Sequence, residues 1–253
     1  MIHSFLMIGQ SNMAGRGNAA EVPAIENEGV FVLRNGIFRP MHFPINFDRF
    51  FSGLNLSESF ADAYQRENKV EVGLIPAADG GSSMDQWHEG EILFDHACYM
   101  AELASRTSEI KGILWHQGEA DCSPALYSTY EKRLTAMIEA MRKRLGMPEV
   151  PFLIGGLGDF LKDCPLSVNL ANYTHVNEAM QAVASKVKNV GFVSAEGLTA
   201  NPDNLHFNSK ALREFGLRYY EGYKKLAVGL SAKGEEESKP QIGGAASTKM
   251  ELL

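Results

Sequence analysis

The sequence predicts a three-layer α/β/α fold, with a central parallel sheet between two layers of helices. Short apolar runs recur along the chain with few polar residues inside them, as expected of strands covered on both faces. Between them lie stretches with apolar residues at helical spacing, and such alternation builds right-handed crossovers and a parallel sheet. A chain of 253 residues, 45% of them hydrophobic, can bury one large core. A single domain is therefore expected over residues 1–230.

The first strand is SFLMIG (Ser4–Gly9). A helix striped by Leu56, Phe60 and Tyr64 leads into the second, VEVGLIPA (Val70–Ala77), and the third is IKGILWHQ (Ile110–Gln117). Ser123-Pro124 reads as an N-cap followed by proline at the first helical position. The helix it opens is striped by Tyr127, Leu134, Met137, Ile138, Met141 and Leu145. The strand PFLIGGL (Pro151–Leu157) comes next, then a helix striped by Val176, Met180, Val183 and Val187. VGFVSA (Val190–Ala195) is the last strand, and Leu212, Phe215, Tyr219 and Tyr223 stripe the last helix. The methionines and tyrosines of these stripes read as core, not as a cofactor site. Two segments break the pattern. Residues 34–55 are rich in aromatics but aperiodic, an ordered loop suited to walling a pocket. Residues 231–253, which from Lys233 read KGEEESKPQIGGAASTKMELL, are expected to be a disordered polar tail.

Composition narrows the function. A formal charge of −7 argues against a nucleic-acid surface, which needs clustered cations. Cys98, Cys122 and Cys164 form no CxxC pair, so neither a disulfide framework nor a zinc site is expected. Seven histidines occur without HExxH or HxH spacing, and no metal or cofactor is expected. With no visible secretory signal and no apolar run long enough to span a bilayer, a cytoplasmic, membrane-free protein is expected.

The chemistry is concentrated in four polar clusters, each expected at the carboxyl end of a strand on one edge of the sheet. The first strand ends in LMIGQSNMAG. Ser11 there is either a cap of a short helix or a nucleophile held at a topological switch point. A serine hydroxyl needs a neutral imidazole to take its proton and a carboxylate to fix that imidazole. NPDNLHF, with Asp203 and His206 three apart, can supply both; alone it would be an Asx-turn beside a surface histidine. DGGSSMDQW, after the second strand, is a glycine turn or a source of an oxyanion N–H donor. WHQGEAD ends the third strand with an amide, a histidine and two carboxylates, or with a helix-entry acidic pair in Glu119 and Asp121.

GQSNMAG, GGSSMDQW, WHQGEAD and DNLHF together resemble the blocks of the SGNH hydrolases. More narrowly, they resemble the carbohydrate-esterase branch containing sialate O-acetylesterases and acetylxylan esterases, and the likeness runs to about Leu230, through LNLSESFA. The resemblance implies a flavodoxin-like fold with Ser11 as nucleophile, His206 as general base and Asp203 as its orienter. It also implies an oxyanion hole made of the Ser11 N–H, that of Gly81 (or Gly80) and the Gln117 side-chain amide, glutamine standing where most SGNH enzymes have asparagine. Gln10, Asn12, Glu119 and Trp87 would support the site or bind substrate, with the Phe43/Phe47 region as a further sugar rim. Met13 occupies the second glycine position of a G-x-S-x-G elbow, which argues against an α/β-hydrolase fold. The expected activity is removal of O-acetyl groups from a carbohydrate, acetylated sialic acid or acetylated xylan, through an acyl-enzyme. A lipid esterase on the same fold, or a silent sugar-binding module, is the alternative.

Overall fold

The computed structural model describes residues 1–237, with side chains described through Ala227. In chain order the elements are β1 (Ile2–Gly9), α1 (Ser11–Ala14), β2 (Val30–Arg34), β3 (Ile37–Pro40), α2 (Ser57–Asn68) and β4 (Val72–Pro76). Then come α3 (Ile92–Ala104), β5 (Ser108–His116), α4 (Pro124–Leu145), β6 (Phe152–Gly155), α5 (Tyr173–Lys186), β7 (Val190–Val193) and α6 (Ser209–Glu237). One sheet runs in the order β3-β2-β4-β1-β5-β6-β7, parallel except for the β2–β3 pair. The five strands read from sequence are β4-β1-β5-β6-β7 of this sheet, which is the flavodoxin-like order.

Strand alternation builds the layers. Leu6 and Ile8 of β1, Ile113 and Trp115 of β5, and Phe152 and Ile154 of β6 face a core that includes residues of α3, α4 and α5. Phe5, Met7, Leu114 and Leu153 face the opposite core, which α2 and α6 cover. There Phe5 meets Phe60 at 4.7 Å and Tyr64 at 4.9 Å, edge to face, the favoured geometry for paired aromatic quadrupoles.

Three elements differ from the expectation. Part of the aperiodic segment is a hairpin: β2 and β3 pair Arg34 with Ile37 across Asn35-Gly36, whose φ values are 50° and 78°. Two positive φ angles make the twist-matched two-residue turn that Asn-Gly favours, so the signal was present in the sequence. Residues 41–55 remain irregular. Helix α3 has no counterpart among the expected elements, because its buried stripe includes the small residues Ala97, Cys98, Ala101 and Ala104. Finally, α6 continues through residues 231–237, in what was expected to be tail, where Ala and Glu are good helix formers. The rest of the expected tail, residues 238–253, lies outside the described residues.

From β1 the chain builds β2, β3 and then β4 on one side and crosses to β5 on the other. The carboxyl end of β1 is thus a topological switch point, the place where open α/β sheets bind ligands.

Candidate active site

Gly9 closes β1 with φ +129°, and a Cβ there would stand 2.1 Å from the His116 carbonyl oxygen. Only glycine lets the tip of β1 press against β5 so closely. The Gln10 N–H donates to that same carbonyl at 2.9 Å, and the chain then turns into α1. The N-cap of α1 is Gln10, without a side-chain cap bond. Ser11 is therefore the first helical residue and not the cap, and its backbone N–H has no intrahelical acceptor.

The Ser11 hydroxyl lies 2.9 Å from His206 Nε2, and His206 Nδ1 lies 2.6 Å from Asp203 Oδ2. The other Asp203 oxygen accepts the N–H groups of Leu205 at 2.9 Å and His206 at 3.0 Å. The Asx-turn and the imidazole–carboxylate pair are thus one structure, in which the turn aims the imidazole. Partial burial alone would raise the Asp203 carboxyl, but these two N–H groups and the imidazole outweigh it and hold it below the ordinary carboxylate range. Such a string can take the serine proton and stabilise the imidazolium that results.

Asn12 ties three loops together. Its amide donates to Glu119 Oε1 at 2.6 Å and to the Leu205 carbonyl at 3.2 Å, while its oxygen accepts the Phe207 N–H at 3.0 Å. Burial pushes the Glu119 carboxyl up, but His116 and the Asn12 amide pull it net downward, which keeps it the charged acceptor of this brace. Gln10 holds the following turn through its side-chain oxygen, which accepts from Gly118 N at 3.3 Å and Ala120 N at 3.4 Å.

Two of the expected site residues stand elsewhere. Gln117 is fully buried, and its amide nitrogen donates to the Ser82 carbonyl at 3.0 Å and to Asp121 Oδ2 at 2.6 Å. Its side-chain oxygen accepts from the Tyr130 hydroxyl at 3.0 Å. Gln117 directly follows β5 and continues the face of Ile113 and Trp115, which brings its side chain to Tyr130 of α4. Trp87 is also fully buried, edge-on to Trp115 at 5.3 Å with its indole N–H on the Ser82 hydroxyl, so its ring cannot stack on a substrate.

Of the two candidate glycines, Gly80 has its N–H engaged by Asp48 Oδ2 at 2.8 Å. Gly81, at φ +80°, has no atom within 4 Å of where a Cβ would sit, and it opens on a cleft of about 280 Å³ lined also by Gln10, Ala120, Leu170 and Leu205. Residues 41–55 dock beside this turn. Asn46 exchanges two 3.0 Å hydrogen bonds with the backbone of Ala78, and Asp48 pairs with Arg16 at 2.7 Å. Phe47, Phe50 and Phe51 stay exposed on the same segment, with Phe51 under the Arg16 guanidinium. Sequence reasoning missed Arg16, Asn46 and Asp48, because their partners lie some thirty residues away and belong to no local motif.

A mostly parallel α/β/α sheet with a serine–imidazole–carboxylate string at its switch point has the arrangement that serine hydrolysis requires. The family model for carbohydrate esterase, sialic acid-specific acetylesterase, matches residues 1–225, and the chain belongs to that family. A probable carbohydrate esterase of Arabidopsis thaliana is 26% identical over 249 residues, spanning 87% of this chain and 89% of the relative. The X-ray structure from that plant superposes with a TM-score of 0.79 at 26% identity, covering 88% of this chain and 98% of that one. NanS has the same fold, with a TM-score of 0.71 at 15% identity over 90% of this chain and 98% of its own. So does a carbohydrate acetylesterase from Xanthomonas citri, with a TM-score of 0.68 at 18% identity over 90% of this chain and 57% of its own.

Proposed function

We propose that this protein is a serine esterase that removes O-acetyl groups from a carbohydrate through an acyl-enzyme, with Ser11 as nucleophile, His206 as general base and Asp203 as its orienter. The observation that carries the reading is the hydrogen-bonded string from Asp203 through His206 to the Ser11 hydroxyl, at 2.6 and 2.9 Å. His206 takes the hydroxyl proton as Ser11 attacks the ester carbonyl. The tetrahedral oxyanion is met by the backbone N–H groups of Ser11 and Gly81. His206 then protonates the departing sugar oxygen, the acetyl group stays on Ser11, and a water activated by the same imidazole releases acetate. Family membership supports an acetylated carbohydrate as substrate, and acetylated sialic acid or acetylated xylo-oligosaccharides are the classes we favour. The exposed rings of Phe47 and Phe50 offer a face for a sugar on the segment that docks against the Gly80–Gly81 turn.

Acetate release from O-acetylated sialic acids and acetylated xylo-oligosaccharides tests the reading. It fails if neither releases acetate while long-chain lipid esters are hydrolysed. The reading requires an acyl pocket that takes an acetyl group and rejects longer chains. kcat/KM on p-nitrophenyl acetate should therefore exceed that on the octanoate by at least about tenfold, the scale on which a pocket rejects added methylenes. Equal rates would remove the small-acyl assignment.

Asp203→Asn should lower kcat by about four orders of magnitude while the fold survives, because the amide no longer selects the imidazole tautomer. Circular dichroism and steady-state kinetics check it, and a wild-type kcat would show that the Asp203–His206 bond serves only the turn.

A further inference from the structure

The peptide between Gly80 and Gly81 presents a problem that its own residues do not solve. Neither glycine has a side chain to anchor it, and a Gly-Gly peptide turns over at little steric cost. Yet the Gly81 N–H, the donor proposed above for the oxyanion, must point one way throughout turnover. No backbone acceptor among the described residues engages it.

The anchor is Arg49 of the 41–55 segment, whose Nη2 donates to the Gly80 carbonyl at 2.9 Å. The residue before it, Asp48, holds the preceding peptide, its Oδ2 accepting the Gly80 N–H at 2.8 Å. Each of these residues is itself held. Asp48 receives both Arg16 nitrogens, at 3.1 and 2.7 Å, and the Ser52 hydroxyl at 2.7 Å. Arg49 Nη1 donates to Asp79 Oδ1 at 2.9 Å and to the Asp48 carbonyl at 2.7 Å. Position 80 admits no side chain that could anchor the peptide itself, since a Cβ there would come within 2.4 Å of Arg16, 2.8 Å of Asp48 and 3.6 Å of the Ser11 Cβ.

In a trans peptide the carbonyl of one residue and the N–H of the next point in opposite directions in one plane. Holding the Gly80 oxygen therefore aims the Gly81 N–H. A cationic donor on the carbonyl also polarises the peptide and strengthens that N–H as a donor. We propose that Arg49 is a positioning residue for the esterase reaction, fixing through the Gly80 carbonyl the orientation of the Gly81 N–H that receives the oxyanion. This inference rests on the function proposed above. It gives residues 41–55 a part in turnover besides forming the aromatic rim.

The test uses Arg49→Met and Arg49→Lys with p-nitrophenyl acetate, which carries no sugar and no carboxylate for Arg49 to bind. The Arg49 side chain is partly exposed, so melting temperature should be nearly unchanged. Arg49→Met should lower kcat by about one to two orders of magnitude, short of the loss on deleting an oxyanion donor, with KM unchanged. Arg49→Lys should recover part of the rate, because an ammonium can still reach the carbonyl without the fork. A loss confined to KM, or no loss, overturns the proposal. A crystal structure of Arg49→Met supplies a readout independent of esterase activity. A turned or doubly occupied Gly80–Gly81 peptide supports the clamp, and an unchanged plane overturns it. A wild-type protein that hydrolyses no ester would refute the esterase reading, and this second readout would still decide the clamp.

Discussion

Ser11→Ala should abolish acetate release, with kcat reduced on the order of a million-fold, while the melting temperature moves little. The two halves of this expectation have different origins. Removing the hydroxyl deletes the only atom of the string that can bond to the acyl carbon, and residues acting as one unit lose nearly everything when one is removed. The structural cost is one hydrogen bond, to His206 Nε2, about 1 kcal/mol. Ser11 makes no cap whose loss would unravel α1, because Gln10 occupies that position. Acetate release from an acetylated substrate measured beside a thermal melt separates the two. A variant with wild-type turnover would reduce Ser11 to a turn residue, and a variant that fails to fold would mean the hydroxyl has a structural role not evident from its contacts.

Legibility in the sequence followed the range of the interactions. The strands β1, β4, β5, β6 and β7 are continuous apolar runs, and their burial on both faces is written in composition. Asp203 and His206 are legible because they stand three positions apart and a single turn joins them, although their approach to Ser11 across 195 positions is not. The β2–β3 hairpin was legible from Asn35-Gly36 but obscured by the aromatics around it. Arg16, Asp48 and Arg49 left no trace, because each is a commonplace loop residue whose role exists only after residues 41–55 fold onto the glycine turn. Gln117 reads differently from sequence and from its contacts. Its place at the end of β5 suits a donor over Ser11, whereas its side chain faces Tyr130 of α4 and engages the Ser82 carbonyl and Asp121.

That facing gives Gln117 a different consequence on mutation. Gln117→Ala should destabilise the protein by about 3 kcal/mol, roughly 6–12 °C in melting temperature for a chain of this size. The side chain joins three buried groups, and each loses a partner. The Ser82 carbonyl loses its 3.0 Å donor. The Tyr130 hydroxyl keeps the Gln117 backbone carbonyl, at 3.0 Å, and the Trp115 indole N–H, at 3.4 Å, but loses the side-chain oxygen. Asp121 loses the most, since its 2.6 Å donor disappears and leaves the Met84 N–H at 3.0 Å with Arg133 at 3.7 Å. A buried carboxylate deprived of a donor costs more than a neutral group, and the cavity left by the amide adds to the loss. The Asp121 carboxyl already stands above its ordinary range, because burial outweighs the Gln117 amide, the Met84 N–H and Arg133 together. Without Gln117 it rises further. A carboxyl raised in the folded state binds its proton more tightly there than in the unfolded chain, so its penalty is full above the folded pKa and fades as pH falls through it. The deficit of the variant against wild type should accordingly be largest at neutral and alkaline pH and narrow toward acid. Thermal melts across that range, with kcat on the same samples, separate this role from the one expected of an oxyanion donor. If Gln117→Ala melts like wild type and loses two orders of magnitude in kcat, the amide must leave Asp121 during turnover and reach the oxyanion after all.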